Sequence, residues 1–334
     1  MARSRMVSRR VVRILRVLLV CLAVLLFLLA VVPLIIPIPP LKNTVPPQEL
    51  SGTDSRFFDW NGIQVYYQMA GQGDIDIILL HGFASSTFSW REVVAPLAMT
   101  ARVIAYDRPA FGLTERPLQW EGQNPYGSDA QVDLLLALMD FHAIDKAVLV
   151  GNSAGGALAL LAAIRHPERV QALVLVDPAI YLSRSGGFLP GWLQPFLKTP
   201  QLQRMGPLLV RSIQNWSDDF GRKAWHDPSR ITDEIWQGYR LPLRAENWDR
   251  GLWEFTIAGK PLHLEEMLDQ VKAPTLVITG DDDRIVPTED SVRASKAIPN
   301  AQLVIISESG HVPHEEQPEA FLRAVNSFIW TLSP

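Results

Sequence analysis

Gly151-Asn152-Ser153-Ala154-Gly155 stands between an apolar run, Ala147-Val148-Leu149-Val150, and a small-residue stretch with helical spacing, Gly156 to Ile164. A G-x-S-x-G tract between a strand and a helix reads as a nucleophile elbow, a sharp turn that presents a serine at the end of the strand. The glycines have a steric reason. A serine driven toward positive φ brings strand and helix so close that a Cβ at Gly151 or Gly155 would strike one of them. The other reading of the same residues is a serine N-cap after a buried strand.

Working outward, short apolar runs repeat on both sides of this turn. Ile75–Leu80, Arg102–Tyr106, Ala147–Val150, Ala172–Val176, Thr275–Thr279 and Gln302–Ile306 read as fully buried strands. Helical patterns over Trp90–Met99, Ser128–Phe141, Ala154–Arg165, Thr288–Ile298 and Pro318–Trp330 alternate with them. Ser128-Asp129-Ala130-Gln131 has capping-box form. Near-continuous hydrophobic strands alternating with helices predict a mostly parallel, doubly wound α/β sheet covered on both faces. A hairpin precedes it, Arg56–Trp60 and Ile63–Gln68, joined at Asn61-Gly62 by a type I′ turn. The alternation breaks over residues 180–260, which hold six of the ten tryptophans and no strand pattern. This insert reads as a helical cap between core segments 55–179 and 261–334. Its tryptophans, Trp192, Trp216, Trp225, Trp236, Trp248 and Trp253, read first as the cap's own core and second as the wall of an apolar pocket.

The N-terminus is built differently. Residues 1–16 hold six arginines and no acid, so the formal net charge of −4 divides into +6 there and −10 on the rest. An acidic body argues against nucleic-acid binding. Residues 17–36 carry no charge, and about 20 residues at ~1.5 Å each span the ~30 Å of a bilayer core. This predicts an uncleaved single-pass signal anchor, with the basic tail cytoplasmic and the body extracytoplasmic by the positive-inside bias. Residues 37–54 read as a stiff, proline-rich spacer. The single cysteine, Cys21, lies within the span, so the body has no disulfide, thiolate nucleophile or cysteine metal site.

A serine nucleophile needs a base, and the base an orienting acid. In such a sheet both come from loops at the carboxyl ends of strands. His311 follows the last predicted strand in Glu308-Ser309-Gly310-His311-Val312-Pro313, and Asp281-Asp282-Asp283 follow Gly280 at the end of the strand before it. The order Ser, Asp, His is that expected of an elbow completed by later strands. Asp281, Asp282, Asp283 and Asp177 all stay open as the acid at this level, and His314 is the nearest substitute for His311. Two N–H donors must also face the oxyanion. Ala154, next after the serine, supplies one. The loop His81-Gly82-Phe83-Ala84 supplies the other from Phe83, with Gly82 permitting the bend.

Together these motifs resemble the capped branch of the alpha/beta hydrolase fold family, over roughly residues 55–332. They are His81-Gly82-Phe83, Asp107-Arg108-Pro109-Ala110-Phe111-Gly112, the elbow, Gly280-Asp281-Asp282-Asp283-Arg284-Ile285-Val286-Pro287, and Gly310-His311-Val312-Pro313 with Glu316 and Pro318. The resemblance implies that Asp283, third after the glycine, is the acid, and that His81 is structural. Ala110 departs from it, since many relatives have glycine there. No metal or organic cofactor is expected. The implied activity is serine-dependent hydrolysis of a lipophilic carboxylic ester by a membrane-anchored enzyme, its partners being a small apolar substrate and the membrane. The alternative is a carbon–carbon bond hydrolase of meta-cleavage type, whose members share a Gly-Asn-Ser elbow. A lactonase or aminopeptidase is a further option, and a non-catalytic ligand-binding member of the fold is the reading from a different class.

Overall fold

Alternating side chains along β3 (Asp76–Leu80) set the plan of the molecule. Ile77 and Leu79 point to one face of the sheet, Ile78 and Leu80 to the other, and all four are buried. In the computed structural model, which describes residues 2–52, 55–181 and 193–332 and omits the side chains of 2–10, 194 and 213–217, eight strands form one sheet. The others are β1 (Arg56–Trp60), β2 (Ile63–Ala70), β4 (Arg102–Tyr106), β5 (Ala147–Asn152), β6 (Val170–Val176), β7 (Thr275–Gly280) and β8 (Gln302–Ile306). Their order is β1-β2-β4-β3-β5-β6-β7-β8. The β1–β2 and β2–β4 pairings are antiparallel and the rest parallel. Asn61 (φ 53°) and Gly62 (φ 80°) make the hairpin turn left-handed at both positions.

Each face buries its own core. Ser128–Phe141 and Ala154–Arg165 cover one with Leu134, Leu138, Leu158 and Leu161, and Val94–Leu97 with Pro318–Trp330 cover the other through Leu97, Phe321 and Phe328. The sheet reverses winding at β3, which has β4 on one side and β5 on the other. Loops leaving the carboxyl ends of β3 and β5 therefore part at a crevice, where ligands of open α/β sheets bind.

Two local expectations fail. Trp90–Met99 is not one helix but a 3-10 turn at Thr87–Trp90 followed by a single turn at Val94–Leu97. Pro96 explains the break, because it lacks an N–H and its ring crowds the carbonyl four residues back. The capping box at Ser128 also does not form. Gly127 caps the helix without a side-chain hydrogen bond. Gln131, which would close the box, is spent elsewhere: it accepts from Arg108 (3.0 Å) and donates to the Tyr126 carbonyl (3.0 Å).

Between β6 and β7 the described residues hold helices Gln194–Leu197, Pro200–Arg211, Ile213–Ala224, Asp233–Arg240 and Trp248–Ala258, and no strand. Trp192 lies outside the described residues, as does the side chain of Trp216. The N-terminal helix runs over Ala2–Ile35, so it starts well before the apolar boundary read at residue 17, and its apolar part, Val11–Ile35, is long enough to cross a membrane. The proline-rich stretch after it does not stand clear of the body. Val45 donates to the Arg244 carbonyl (3.0 Å) and accepts from the Glu246 N–H (2.9 Å).

Ala110 sits in the loop after β4 at φ 81°, in the left-handed region that suits glycine. Holding an alanine there costs about 1 kcal/mol. Ala110→Gly is therefore expected to raise unfolding stability by about 1 kcal/mol, read as a shift in denaturant midpoint at constant slope. A loss of stability would show that the Ala110 methyl contributes more by packing than its backbone costs.

Candidate active site

Ser153 occupies φ 53°, ψ −117° between β5 and helix Ala154–Arg165. The turn is held by close backbone approach. A Cβ on Gly151 would lie 2.5 Å from the Gly155 carbonyl oxygen, and one on Gly155 would overlap the Leu80 carbonyl. The Ser153 N–H donates to Val176 (2.9 Å), and its carbonyl accepts from Ala157 (3.0 Å) and Ala179 (3.1 Å). The serine makes no side-chain cap hydrogen bond, so the N-cap reading fails.

His311 arrives from the loop after β8, and its Nδ1–H donates to Asp283 Oδ2 at 2.7 Å. Asp283 is fixed in turn, since its Oδ1 accepts from Ile285 N–H (2.7 Å) and Val286 N–H (3.0 Å). Of the four carboxylates open in the sequence, only Asp283 meets the imidazole. Asp281 accepts from Ser309 N–H (3.3 Å), and Asp282 pairs with Arg284 and with His226 Nδ1 (2.9 Å). Asp177 is fully buried beside the pair. Its Oδ1 accepts from Thr279 Oγ1 (2.6 Å) and Gly280 N–H (3.2 Å), while Oδ2 meets no donor.

Ser153 and His311 line one pocket with Phe83, Phe111, Trp225 and Trp248. The Ser153 hydroxyl has no hydrogen-bond partner among the described residues. Bonds of this kind are commonly loose before substrate closes the site. The N–H groups of Phe83 and Ala154 are also unspent, and Ala154 is the first residue of its helix, where no intrahelical acceptor exists. Gly82 seats the Phe83 loop against the elbow, since a Cβ there would come 2.8 Å from Asn152 Oδ1 and 3.3 Å from Ser153 Cβ.

The remaining histidines do other work. His314 bonds Ser89 Oγ (2.8 Å) and packs on Trp90 at 4.2 Å between ring centroids. Burial, then Arg91 and His311, hold its pKa well below the usual imidazole value, so it stays neutral. His81 accepts the Arg108 N–H at Nε2 (3.1 Å) and donates from Nδ1 to the Gly82 carbonyl (2.8 Å). Arg108 grips the carbonyls of His81 (2.9 Å) and Gly82 (3.1 Å), which locks the Phe83 loop.

The partners of three supporting residues escape a reading of the sequence. Asn152 donates to the His311 carbonyl (3.0 Å) and ties the elbow to the histidine loop. Glu316 accepts from Gly310 N–H (2.6 Å) and from His226 N–H of the cap (2.7 Å). Glu315, at the pocket wall, accepts from Ser89 (2.6 Å), Tyr239 (2.7 Å) and Arg91. The middle residue of the Gly-Asn-Ser tract was the one available signal for Asn152. Glu316 stood in the motif around His311 without its partners being legible, and Glu315 carried no signal.

Two cations reach the pocket wall, and each has partners on the protein. Arg116 donates to the carbonyls of Thr114 (2.9 Å) and Gly112 (2.6 Å), and Arg240 pairs with Asp218 (2.5 Å) over the Trp236 ring. Trp225, Trp236 and Trp248 line the pocket, whereas Trp253 packs inside the cap. Trp225, Trp236 and Trp248 also belong to apolar clusters, so among the described tryptophans these three fit both readings and Trp253 fits the first.

A sequence model of the alpha/beta hydrolase fold matches residues 77–318. An uncharacterized hydrolase of Bacillus subtilis, YugF, is 31% identical over 282 residues, which cover 82% of this chain and 97% of the relative. A 2-hydroxymuconate semialdehyde hydrolase of Pseudomonas putida is 33% identical over 244 residues, or 70% of this chain and 78% of the relative. Among solved structures, a meta-cleavage product hydrolase of Pseudomonas fluorescens IP01 complexed with acetates superposes with a TM-score of 0.61 at 28% identity, covering 82% of this chain and 96% of that one. With its parallel sheet, strained elbow and spanning match, this chain belongs to the alpha/beta hydrolase fold family and is a hydrolase.

Proposed function

We propose that Ser153, His311 and Asp283 act as nucleophile, base and orienting acid of a membrane-anchored serine hydrolase whose substrate is a neutral, lipophilic carboxylic ester. The observation that carries the reading is the ordered relay from Asp283 to His311 beside a serine held at positive φ. His311 Nε2 takes the Ser153 proton as Oγ attacks the carbonyl carbon. The N–H groups of Phe83 and Ala154 hold the resulting oxyanion. The imidazolium returns its proton to the leaving alkoxide, and water releases the acyl group by the same steps in reverse order.

Pocket chemistry favours a neutral ester over an anionic substrate. Its wall is largely aromatic and aliphatic, Arg116 already donates to two backbone carbonyls, and Arg240 pairs with Asp218. The second reading is carbon–carbon cleavage of a dienoate, favoured by the names of the relatives in Pseudomonas. Val11–Ile35 is proposed as the anchor, with the six arginines that precede or enter it keeping the N-terminus cytoplasmic.

Asp177 completes the account of charge. Ligand atoms of Asp177, Asp283 and His311 all lie within 4.8 Å of one another. Two carboxylates so close do not both ionise. Burial, then the charge of Asp283, push the pKa of Asp177 well above the usual carboxylate value, so Asp177 is a carboxyl that stays protonated.

A fluorophosphonate probe should label the full chain in detergent and fail to label Ser153→Ala; Ser153-independent labelling would sink the assignment. Aryl esters of increasing acyl length, set beside a ring-fission dienoate, choose between the two chemistries, and preference for the dienoate would overturn the ester reading. Asp283→Asn should lower kcat on the order of 10⁴-fold, whereas Asp177→Asn, which keeps a neutral donor beside Asp283, should retain most activity. Stability gives an independent check. A folded pKa raised above the unfolded one favours folding at low pH and loses that benefit as pH rises. Thermal midpoints of Asp177→Asn should therefore gain on the wild type between pH 4 and pH 8, and parallel curves would show that Asp177 is ionised in the folded protein.

A further inference from the structure

The end of the apolar helix lies against the cap. Gln201 donates to the carbonyl of Ala30 (2.9 Å), Arg204 to that of Ile36 (3.0 Å) and Arg211 to that of Pro39 (2.6 Å). Helix Pro200–Arg211 thus begins at the level of Ala30, five residues short of the end of the apolar stretch at Ile35. At ~1.5 Å per residue this is about 8 Å inside that end. A bilayer that takes in Val11–Ile35 must reach the start of the cap helix as well.

The side chains there suit a lipid boundary. Phe196 is 58% exposed, although it is a large aromatic. Lys198 is exposed beside it, and Arg204 adds a second cation, which complements anionic headgroups. Leu197 and Leu202, on the same segment, belong to an apolar cluster that also contains Leu41, Trp248, Leu252, Phe111 and Phe83. The last four line the pocket. One contiguous apolar cluster therefore joins the foot of the cap to the candidate oxyanion loop.

We propose that the Phe196–Leu202 edge of the cap rests in the headgroup–acyl boundary of a phospholipid bilayer, and that the enzyme draws its substrate from that bilayer rather than from water. The inference rests on the anchoring and lipophilic-substrate readings above. It adds a second membrane contact, made by the catalytic body itself, and a direction of entry.

The test uses the full chain in phospholipid nanodiscs, with Cys21→Ser and one environment-sensitive fluorophore attached at Leu25→Cys, Phe196→Cys or Met99→Cys in turn. Met99 is 81% exposed and precedes β4 at the amino end of the sheet, away from the cap. Lipids spin-labelled near the headgroup should quench position 196 at least twofold and leave position 99 unchanged, while lipids labelled deep in the acyl chain should quench position 25. Quenching at 25 with position 196 matching position 99 would overturn the inference and leave the anchor standing. Absence of quenching at 25 would remove the anchor and this inference together. A kinetic arm reads entry separately. Phe196→Glu should lower turnover of a long-chain ester dissolved in the nanodisc several-fold and leave a water-soluble short-chain ester unaffected. An equal change in both, or in neither, counts against entry from the bilayer.

Discussion

The positive φ of Ser153 is the constraint on which the rest of the site depends. An L-residue in that conformation costs on the order of 1–3 kcal/mol and persists only where its surroundings over-determine it. Here they do. Gly151, Gly155 and Gly156 let β5, the following helix and the end of β3 meet at distances no side chain would permit. The same packing brings the Phe83 loop alongside, with Gly82 against Asn152 and Ser153, so the candidate nucleophile and the candidate oxyanion loop are placed together. Nothing about the serine's chemistry requires a particular fold. Its backbone geometry does.

Around that turn, His311 is held by contacts to its backbone as well as by its side chain. Asn152 takes the His311 carbonyl, Ala224 of the cap takes the His311 N–H at 2.7 Å, and Glu316 bonds both the histidine loop and the cap. The cap is therefore not only a cover. It is one of the supports that keep the imidazole in register with Asp283.

The sheet, its faces and the convergence of Ser153, Asp283 and His311 were legible because each leaves a local mark: hydrophobic period, glycine spacing or a loop directly after a strand. What was hidden depends on partners far apart in the chain or on backbone atoms, which carry no residue label. Asn152 acts on a carbonyl 159 residues away. The cap helix reaches the apolar helix through the carbonyls of Ala30, Ile36 and Pro39, so nothing in their side chains announces it. The misread helix over Trp90–Met99 had the right hydrophobic spacing, but one missing N–H at Pro96 outweighed it. Gln131 had the right residue type for a capping box and a stronger competitor in buried Arg108.

The isolated bridge between Val45 and Ala245 has a mechanical consequence. The cap leaves the core by β6 and returns by β7, and this bridge is one more pin, beside the bonds from Gln201, Arg204 and Arg211, to the stretch that emerges from the apolar helix. Swinging the cap outward would strain that pin or drag the helix with it.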